Sequence, residues 1–483
     1  MSHKASTKNH VAFAAATGSG KTLAYLLPIF QKLKTSENKL KATQSHSHSQ
    51  TPNPRPSKRP RALVLAPTRE LAAQILSVCK VLSHSTKLSV VSVVGGGSES
   101  AASQKKSLNR PVDIVVGTPG RVVKLWEDGS MFLGKTEIVV VDEVDTMLEE
   151  GFQADIGKLF RGVFFQKTSD SDKNERKLSS TFTTSVADVP PQLIMTTATM
   201  TPSVTEFIQT GKVSKKNKNT RTSSATTSEA VSVDLPSPIK LLTAPGLHRA
   251  VPRLSQNFVD VGNADKLSLL VSSVMDSLRA DQRKKINVDV EAKKMIFCNT
   301  VASCRAVEYG LVDGGIDNVL CYHGELSSSD RGSNLEKFRQ PNDDCSVLVC
   351  TDIAARGLDI LGVDHVFMFD FPLNAIDYLH RAGRTARGLN EAAKGQGKVT
   401  AFVAKRDKVL ALAIEKNVRK GLPIDELSGR KSDYIIKKKE EVNKFGGGGE
   451  KEGVAKRFWF DEKQKGVYNP KDKKKKKSKH RRS

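Results

Sequence analysis

The chain has 483 residues, enough for two or three domains with separate cores. Lys and Arg number 77 against 52 Asp and Glu, and the resulting charge of +25 favours a polyanionic partner. No apolar stretch is long enough to span a bilayer, and Cys79, Cys298, Cys304, Cys321, Cys345 and Cys350 lack paired, metal-like spacing, so they read as reduced core thiols of an intracellular protein.

The apolar run 11–16 predicts a short strand. Ala15-Ala16-Thr17-Gly18-Ser19-Gly20-Lys21-Thr22 then leaves it as a phosphate-binding loop. Small residues let backbone N–H groups turn towards a triphosphate, Lys21 adds a point charge, and the Thr22 hydroxyl suits Mg²⁺. The strict pattern has Gly where this chain has Ala15. A helix should follow, with Leu23, Leu26, Leu27, Phe30 and Leu33 on one face and its positive end at the phosphates.

Strand-like runs come next at 63–65, 90–94, 114–116, 138–141 and 193–195, interleaved with helical patterns. The run 138–141 ends in Asp142-Glu143-Val144-Asp145. An acid at the carboxyl end of a buried parallel strand lies where such sheets bind ligands, so Asp142 is expected to hold Mg²⁺ through water and Glu143 to orient or deprotonate an attacking water. A second series follows at 295–298, 319–322, 347–350, 366–369 and 399–403. Nearly continuous apolar strands alternating with helices imply α/β domains whose parallel sheets are covered on both faces.

Polar segments 35–60, 168–189 and 213–238 read as surface loops inside a first domain, 1–244. Pro245-Gly246 and Val251-Pro252 punctuate a linker at 245–256, and a second domain occupies 257–430. Residues 431–483 hold 19 Lys or Arg and 8 Asp or Glu, a net +11, with four glycines at 446–449. That composition predicts a flexible basic arm suited to nucleic-acid phosphates, in which Phe458-Trp459-Phe460 could stack on bases or dock on the second domain.

The order Pro67-Thr68-Arg69-Glu70-Leu71-Ala72, Gly95-Gly96-Gly97, Thr118-Pro119-Gly120-Arg121, Asp142-Glu143-Val144-Asp145 and Thr197-Ala198-Thr199 resembles the first half of a DEAD-box RNA helicase. The second half resembles the family through Ile296-Phe297-Cys298-Asn299-Thr300, His323-Gly324, Thr351-Asp352-Ile353-Ala354-Ala355-Arg356-Gly357-Leu358-Asp359 and His380-Arg381-Ala382-Gly383-Arg384-Thr385-Ala386-Arg387. The resemblance implies two tandem RecA-like domains that both contact ATP and Mg²⁺. In that scheme Arg384 and Arg387 are arginine fingers, and Gly357 and Asp359 lie near the ribose and phosphates. Pro67, Thr68, Arg69, Gly96, Gly97, Thr118, Pro119, Gly120, Arg121 and Thr351 would contact an RNA backbone without reading bases. Hydroxyls of Thr197 and Thr199, bonded to Asp145, would couple the two ligands.

The sequence departs from the family pattern at Val144, where Ala is usual, and at Thr197, where Ser is usual. The family also has an upstream segment whose aromatic residue and Gln read adenine. No Gln precedes Val11; a gene model that begins too late is the expected reason, and a naturally shortened protein is the alternative. The implied activity is ATP-dependent separation of short RNA duplexes or remodelling of ribonucleoprotein by a soluble monomer, with a tail that suits ribosome assembly. The nucleus or nucleolus, a mitochondrion and a plastid all remain open as its compartment. A catalytically weak RNA clamp and a DNA translocase are the competing readings.

Overall fold

The computed structural model describes residues 10–16, 18–44, 57–96, 100–165, 191–213, 231–245, 247–248, 254–284, 292–340, 346–352, 360, 363–385, 397–425 and 427–430. Cys345, the 168–189 segment and the whole 431–483 arm lie outside the described residues. Contacts divide the chain into two units between His248 and Arg249.

In the first unit, strands β1 (His10–Ala14), β2 (Ala62–Leu65), β3 (Val90–Val93), β4 (Ile114–Gly117), β5 (Ile138–Val141), β6 (Gln192–Thr197) and β9 (Ile239–Thr243) form one sheet. Their order is β3-β4-β2-β5-β6-β1-β9, and every pairing is parallel. Strands β7 (Lys212–Val213) and β8 (Val231–Ser232) make a separate antiparallel pair. The helices are α1 (Lys21–Gln44), α2 (Arg69–Thr86), α3 (Ala101–Leu108), α4 (Pro119–Glu127), α5 (Val144–Glu149), α6 (Gln153–Phe164) and α7 (Pro202–Thr210).

Strand side chains alternate between faces, and both faces here are apolar. Leu63, Leu65, Val139 and Val141 join one core cluster, whereas Ala62, Val64, Ile138 and Val140 join another. Helices must therefore cover both sides, which is why these strands read as unbroken apolar runs.

The second unit repeats the plan. Strands β10 (Ser255–Asp260), β11 (Lys293–Cys298), β12 (Val319–Tyr322), β13 (Val347–Thr351), β14 (Val363–Met368) and β15 (Lys398–Val403) form a parallel sheet in the order β10-β15-β14-β11-β13-β12. Its helices are α8 (Lys266–Lys284), α9 (Val301–Asp313), α10 (Ser328–Arg339), α11 (Ala375–Ala382) and α12 (Lys408–Arg419). Cys298, Cys304, Cys321 and Cys350 are buried free thiols here, as is Cys79 in the first unit. No helix among the described residues is long and apolar enough to cross a membrane.

Three details differ from the sequence reading. Tyr25, Leu26, Ile29, Phe30 and Leu33 form the buried face of α1, while Leu23 and Leu27 are 47% and 52% exposed. The helix is turned so that its tyrosine, rather than those two leucines, faces inward. Second, α1 runs on to Gln44, into the 35–60 segment expected to be a loop, because the chain supplies local pairs: Ser36 Oγ donates to Lys32 O at 3.0 Å and Lys34 meets Glu37 at 3.1 Å. Third, the 213–238 segment is not all surface loop. Val233 is 2% exposed in the core, and its N–H donates to Gly211 O at 2.8 Å. Val231, Val233 and Leu235 alternate with polar residues there, but three alternating positions are too short a pattern to stand out in a Ser/Thr/Lys-rich stretch.

The second sheet also buries a histidine. His365 stacks on Phe367 at 3.9 Å between ring centroids, with Nε2 2.8 Å from Thr400 Oγ1 and Nδ1 3.0 Å from Ser277 Oγ. Burial, then the charges of Lys398 and Lys294, push its pKa down to about 3, against a smaller opposing pull from Asp281. The folded pKa lies below the ordinary value of 6.5, so this contribution to stability is complete above about pH 6.5 and is lost as the pH falls towards about 3. Denaturation of the intact chain should show a loss of about 2 kcal/mol between about pH 6.5 and pH 5 that His365→Gln does not share. Parallel pH profiles for the two proteins would refute this.

Candidate functional site

The chain leaves β1 into the predicted phosphate loop. Ala15 N–H donates to Thr197 O at 3.1 Å, tying the loop to the end of β6. Gly18 and Gly20 adopt φ +77° and +87°, a region that side chains rarely enter without strain. Ala24 N–H donates to Gly20 O at 3.0 Å, so α1 starts where the loop ends. Lys21 Nζ donates to Ala15 O at 2.7 Å and Ala16 O at 3.0 Å, folding its charge over the loop. Ser19 N–H donates to Ala16 O at 3.3 Å; Thr17 lies outside the described residues.

Asp142 follows β5 and is 3% exposed. Oδ1 accepts from the Thr196 hydroxyl and from Glu143 N–H at 3.0 Å, and Oδ2 accepts from the Tyr25 hydroxyl at 2.8 Å. Tyr25 thus ties α1, the helix that begins at the phosphate loop, to the acid expected to hold the metal. Burial, and then the Asp142 charge, raise the Tyr25 pKa well above 10, keeping it a neutral donor. Three of about four carboxylate acceptor positions are thus filled. That donor set fits Mg²⁺ held chiefly through water, with Thr22 as its neighbour.

Glu143 immediately precedes α5 with φ 50° and ψ 57°, left-handed for a residue with a side chain and costing on the order of 1–3 kcal/mol. Its Oε2 accepts from Thr146 Oγ1 at 3.3 Å. Asp145 is 2% exposed, and its Oδ2 accepts from Ala198 N–H (3.2 Å), Thr199 N–H (2.9 Å) and Thr199 Oγ1 (2.7 Å). The expectation for Thr197 is corrected: its hydroxyl donates to Thr199 O at 2.6 Å. It shapes the turn that presents Thr199.

The residues expected to contact nucleic acid follow the neighbouring strands. Thr68 Oγ1 caps α2 by accepting from Leu71 N–H at 3.2 Å, an unforeseen structural role, and Arg69 Nη1 donates to Gly96 O. Pro67 is buried beside them. Thr118 precedes α4 and makes no side-chain cap bond, Pro119 and Gly120 form the first turn, and Arg121 Nε donates to Gln104 Oε1 at 2.9 Å. Gly97 lies outside the described residues. These groups follow β2, β3 and β4, whereas the phosphate loop, Asp142 and Thr197 follow or end β1, β5 and β6. Both sets therefore occupy the carboxyl edge of one sheet, side by side. A cavity of about 630 Å³, lined by Phe165, Met200, Ile208, Val233, Pro236 and Leu241 among others, contains none of the predicted site residues.

In the second unit Thr351 ends β13, and Arg384 follows α11 at 5% exposed. Gly357, Asp359 and Arg387 lie outside the described residues. The sequence reading missed Arg381, which is 1% exposed. Its Nε and Nη2 grip the Asp352 carboxylate at 2.7 and 2.5 Å, Nη1 donates to Asp370 O and Nη2 to Asn299 Oδ1, each at 2.5 Å. One buried guanidinium thus joins the carboxyl ends of β11, β13 and β14. The available signal was an arginine at every third position from 381 to 387.

A family model described as DEAD/DEAH box helicase matches residues 2–207, and one described as helicase conserved C-terminal domain matches residues 277–388. Probable ATP-dependent RNA helicase DDX28 of Mus musculus is 30% identical over 431 residues, which cover 89% of this chain and 69% of that protein. The chain belongs to the DEAD-box helicase family. DEAD-box ATP-dependent RNA helicase 39 of Arabidopsis thaliana is 37% identical over 87% of the chain. The chain spans only 57% of that protein's length, and 46% and 55% of two further plant DEAD-box helicases. Among solved structures, DEAD-box helicase Mss116 bound to ssRNA and UDP-BeF aligns over 87% of this chain and 71% of its own, with TM-score 0.61 and 24% identity, which shows a shared fold.

For this DEAD-box chain, Tyr25→Phe removes one hydroxyl and preserves the ring. The variant should unfold more easily than the parent, by about 1–3 kcal/mol, because Asp142 Oδ2 loses its donor while the carboxylate stays buried. Denaturation at parental stability would show that Asp142 needs no support from Tyr25.

Proposed function

We propose that the chain is an RNA-stimulated ATPase that separates short RNA duplexes locally or remodels ribonucleoprotein. The observation that carries this reading is the bonding of Asp145 to Thr199, three residues from the Asp142 carboxylate and on the same sheet edge as the Arg69–Gly96 and Thr118–Arg121 groups. Family membership supports the same assignment.

In this proposal the amides of Ala15, Ala16, Thr17, Gly18, Ser19 and Gly20 receive the ATP phosphates with Lys21. Bound Mg²⁺ would offset phosphate charge beside Thr22 and Asp142. Glu143 orients the attacking water and receives its proton. Arg384 and Arg387 stabilise charge developing on the transferred phosphoryl group, a role worth ~10³–10⁵ in rate. Gly357 and Asp359 contact the ribose and phosphates. Pro67, Thr68, Arg69, Gly96, Gly97, Thr118, Pro119, Gly120, Arg121 and Thr351 hold sugar and phosphate groups of one RNA strand, so recognition is largely blind to sequence. The basic arm 431–483 adds a phosphate tether and suits a monomer working on ribosomal precursors.

Glu143→Gln tests the proposal, because it removes a carboxylate and keeps the side-chain shape. With ATP, the parent should displace the short strand of an RNA duplex, while the variant binds ATP and RNA, does not hydrolyse, and remains on the RNA. Strand displacement and hydrolysis at the parental rate would remove Glu143 from the chemistry.

A further inference from the structure

Gln104 lies in the middle of the short helix α3 and is fully buried, as is Leu108 at its end. Its side chain spends both functions of the amide on the nucleic-acid edge. Nε2 donates to Val94 O at 2.8 Å, and Oε1 accepts from Arg121 Nε at 2.9 Å. The amide has one workable orientation: a flip would place NH₂ against the guanidinium and oxygen against the carbonyl. Val94 leads directly into Gly95-Gly96. Gly96 has φ +64°, and its carbonyl accepts from Arg69 Nη1. A single relay therefore runs from Arg121 through Gln104 to the glycine turn and on to Arg69.

The relay fixes what Arg121 offers to a ligand. With Nε committed to Gln104, the fork is held in one plane, and both Nη groups have no protein partner among the described residues. Those outward groups suit bidentate contact with a phosphate. An unheld Arg121 would have to lose rotamer freedom on binding, which opposes affinity. Glu at position 104 would accept from Arg121 but could not donate to Val94 O, Met would do neither, and Asn is one methylene too short to span both. We propose that Gln104 is a positioning residue for RNA, setting Arg121 and the Gly95-Gly96 turn for one phosphate path; this rests on the reading of the Thr118–Arg121 edge as an RNA contact.

The test compares Gln104→Met, Arg121→Ala and the double variant in the full chain, using a single-stranded RNA homopolymer and RNA-stimulated ATP hydrolysis. Gln104→Met should raise the RNA concentration for half-maximal stimulation about tenfold with little change in kcat, and flatten log affinity against log salt by about 0.7. Arg121→Ala should do the same, and the double variant should be no worse than Arg121→Ala, since both act through one contact. Gln104→Glu should recover less than half of the lost affinity, because it restores only the Arg121 bond. Additive effects of the two single variants, or parental RNA affinity in a Gln104→Met protein that melts like the parent, would overturn the proposal. If Arg121→Ala alone binds RNA like the parent, the failure belongs to the RNA reading of that edge.

Discussion

A carboxylate withdrawn from water needs fixed donors, and the phosphate-loop half of the first unit is arranged around that need at Asp142. Burial of β5 on both faces puts the acid at a dry strand end. Tyr25 from α1, Thr196 from β6 and the Glu143 amide then supply donors from three directions. Left with an empty acceptor, a buried charge would cost several kcal/mol. The same donors leave little room for direct metal coordination. This single constraint ties the helix behind the phosphate loop to the acidic turn, so neither can shift without disturbing the other.

The second unit solves a related problem with the opposite sign. Arg381 is a buried cation, and it is tolerated because a bidentate carboxylate, a backbone carbonyl and an amide oxygen surround it. Its partners sit at the ends of three strands. The guanidinium therefore holds Asp352, next to Thr351, in register with the helix that leads to Arg384. Lys266 holds Asp370 at 2.7 Å on the same edge, extending the network.

The strands were legible in the sequence because double-sided burial writes a continuous apolar run, and the phosphate loop was legible because positive φ selects Gly18 and Gly20. Glu143 and Asp145 could be placed from their position after β5. Tyr25 was not legible as a site residue: within Leu23-Ala24-Tyr25-Leu26-Leu27 a phenol reads as core, and only the fold reveals an acid 117 positions away. Gln104 was hidden for the same reason, being one amide in a short helix, with partners in two other segments. The face of α1 was misread because five apolar residues fit more than one helical stripe, and packing chooses among them. Thr197 shows the limit of a motif: its hydroxyl was foreseen, but its partner depends on the turn it closes.

The proposed ATP site and the proposed RNA edge of the first sheet are expected to act as one device. Phosphate release by the purified chain, measured with Mg²⁺ and ATP alone, then with single-stranded RNA, then with DNA of the same sequence, tests it most directly. The account predicts a rate that rises with RNA to saturation and stays near the basal level with DNA. A rate indifferent to RNA, or equally stimulated by DNA, would contradict it.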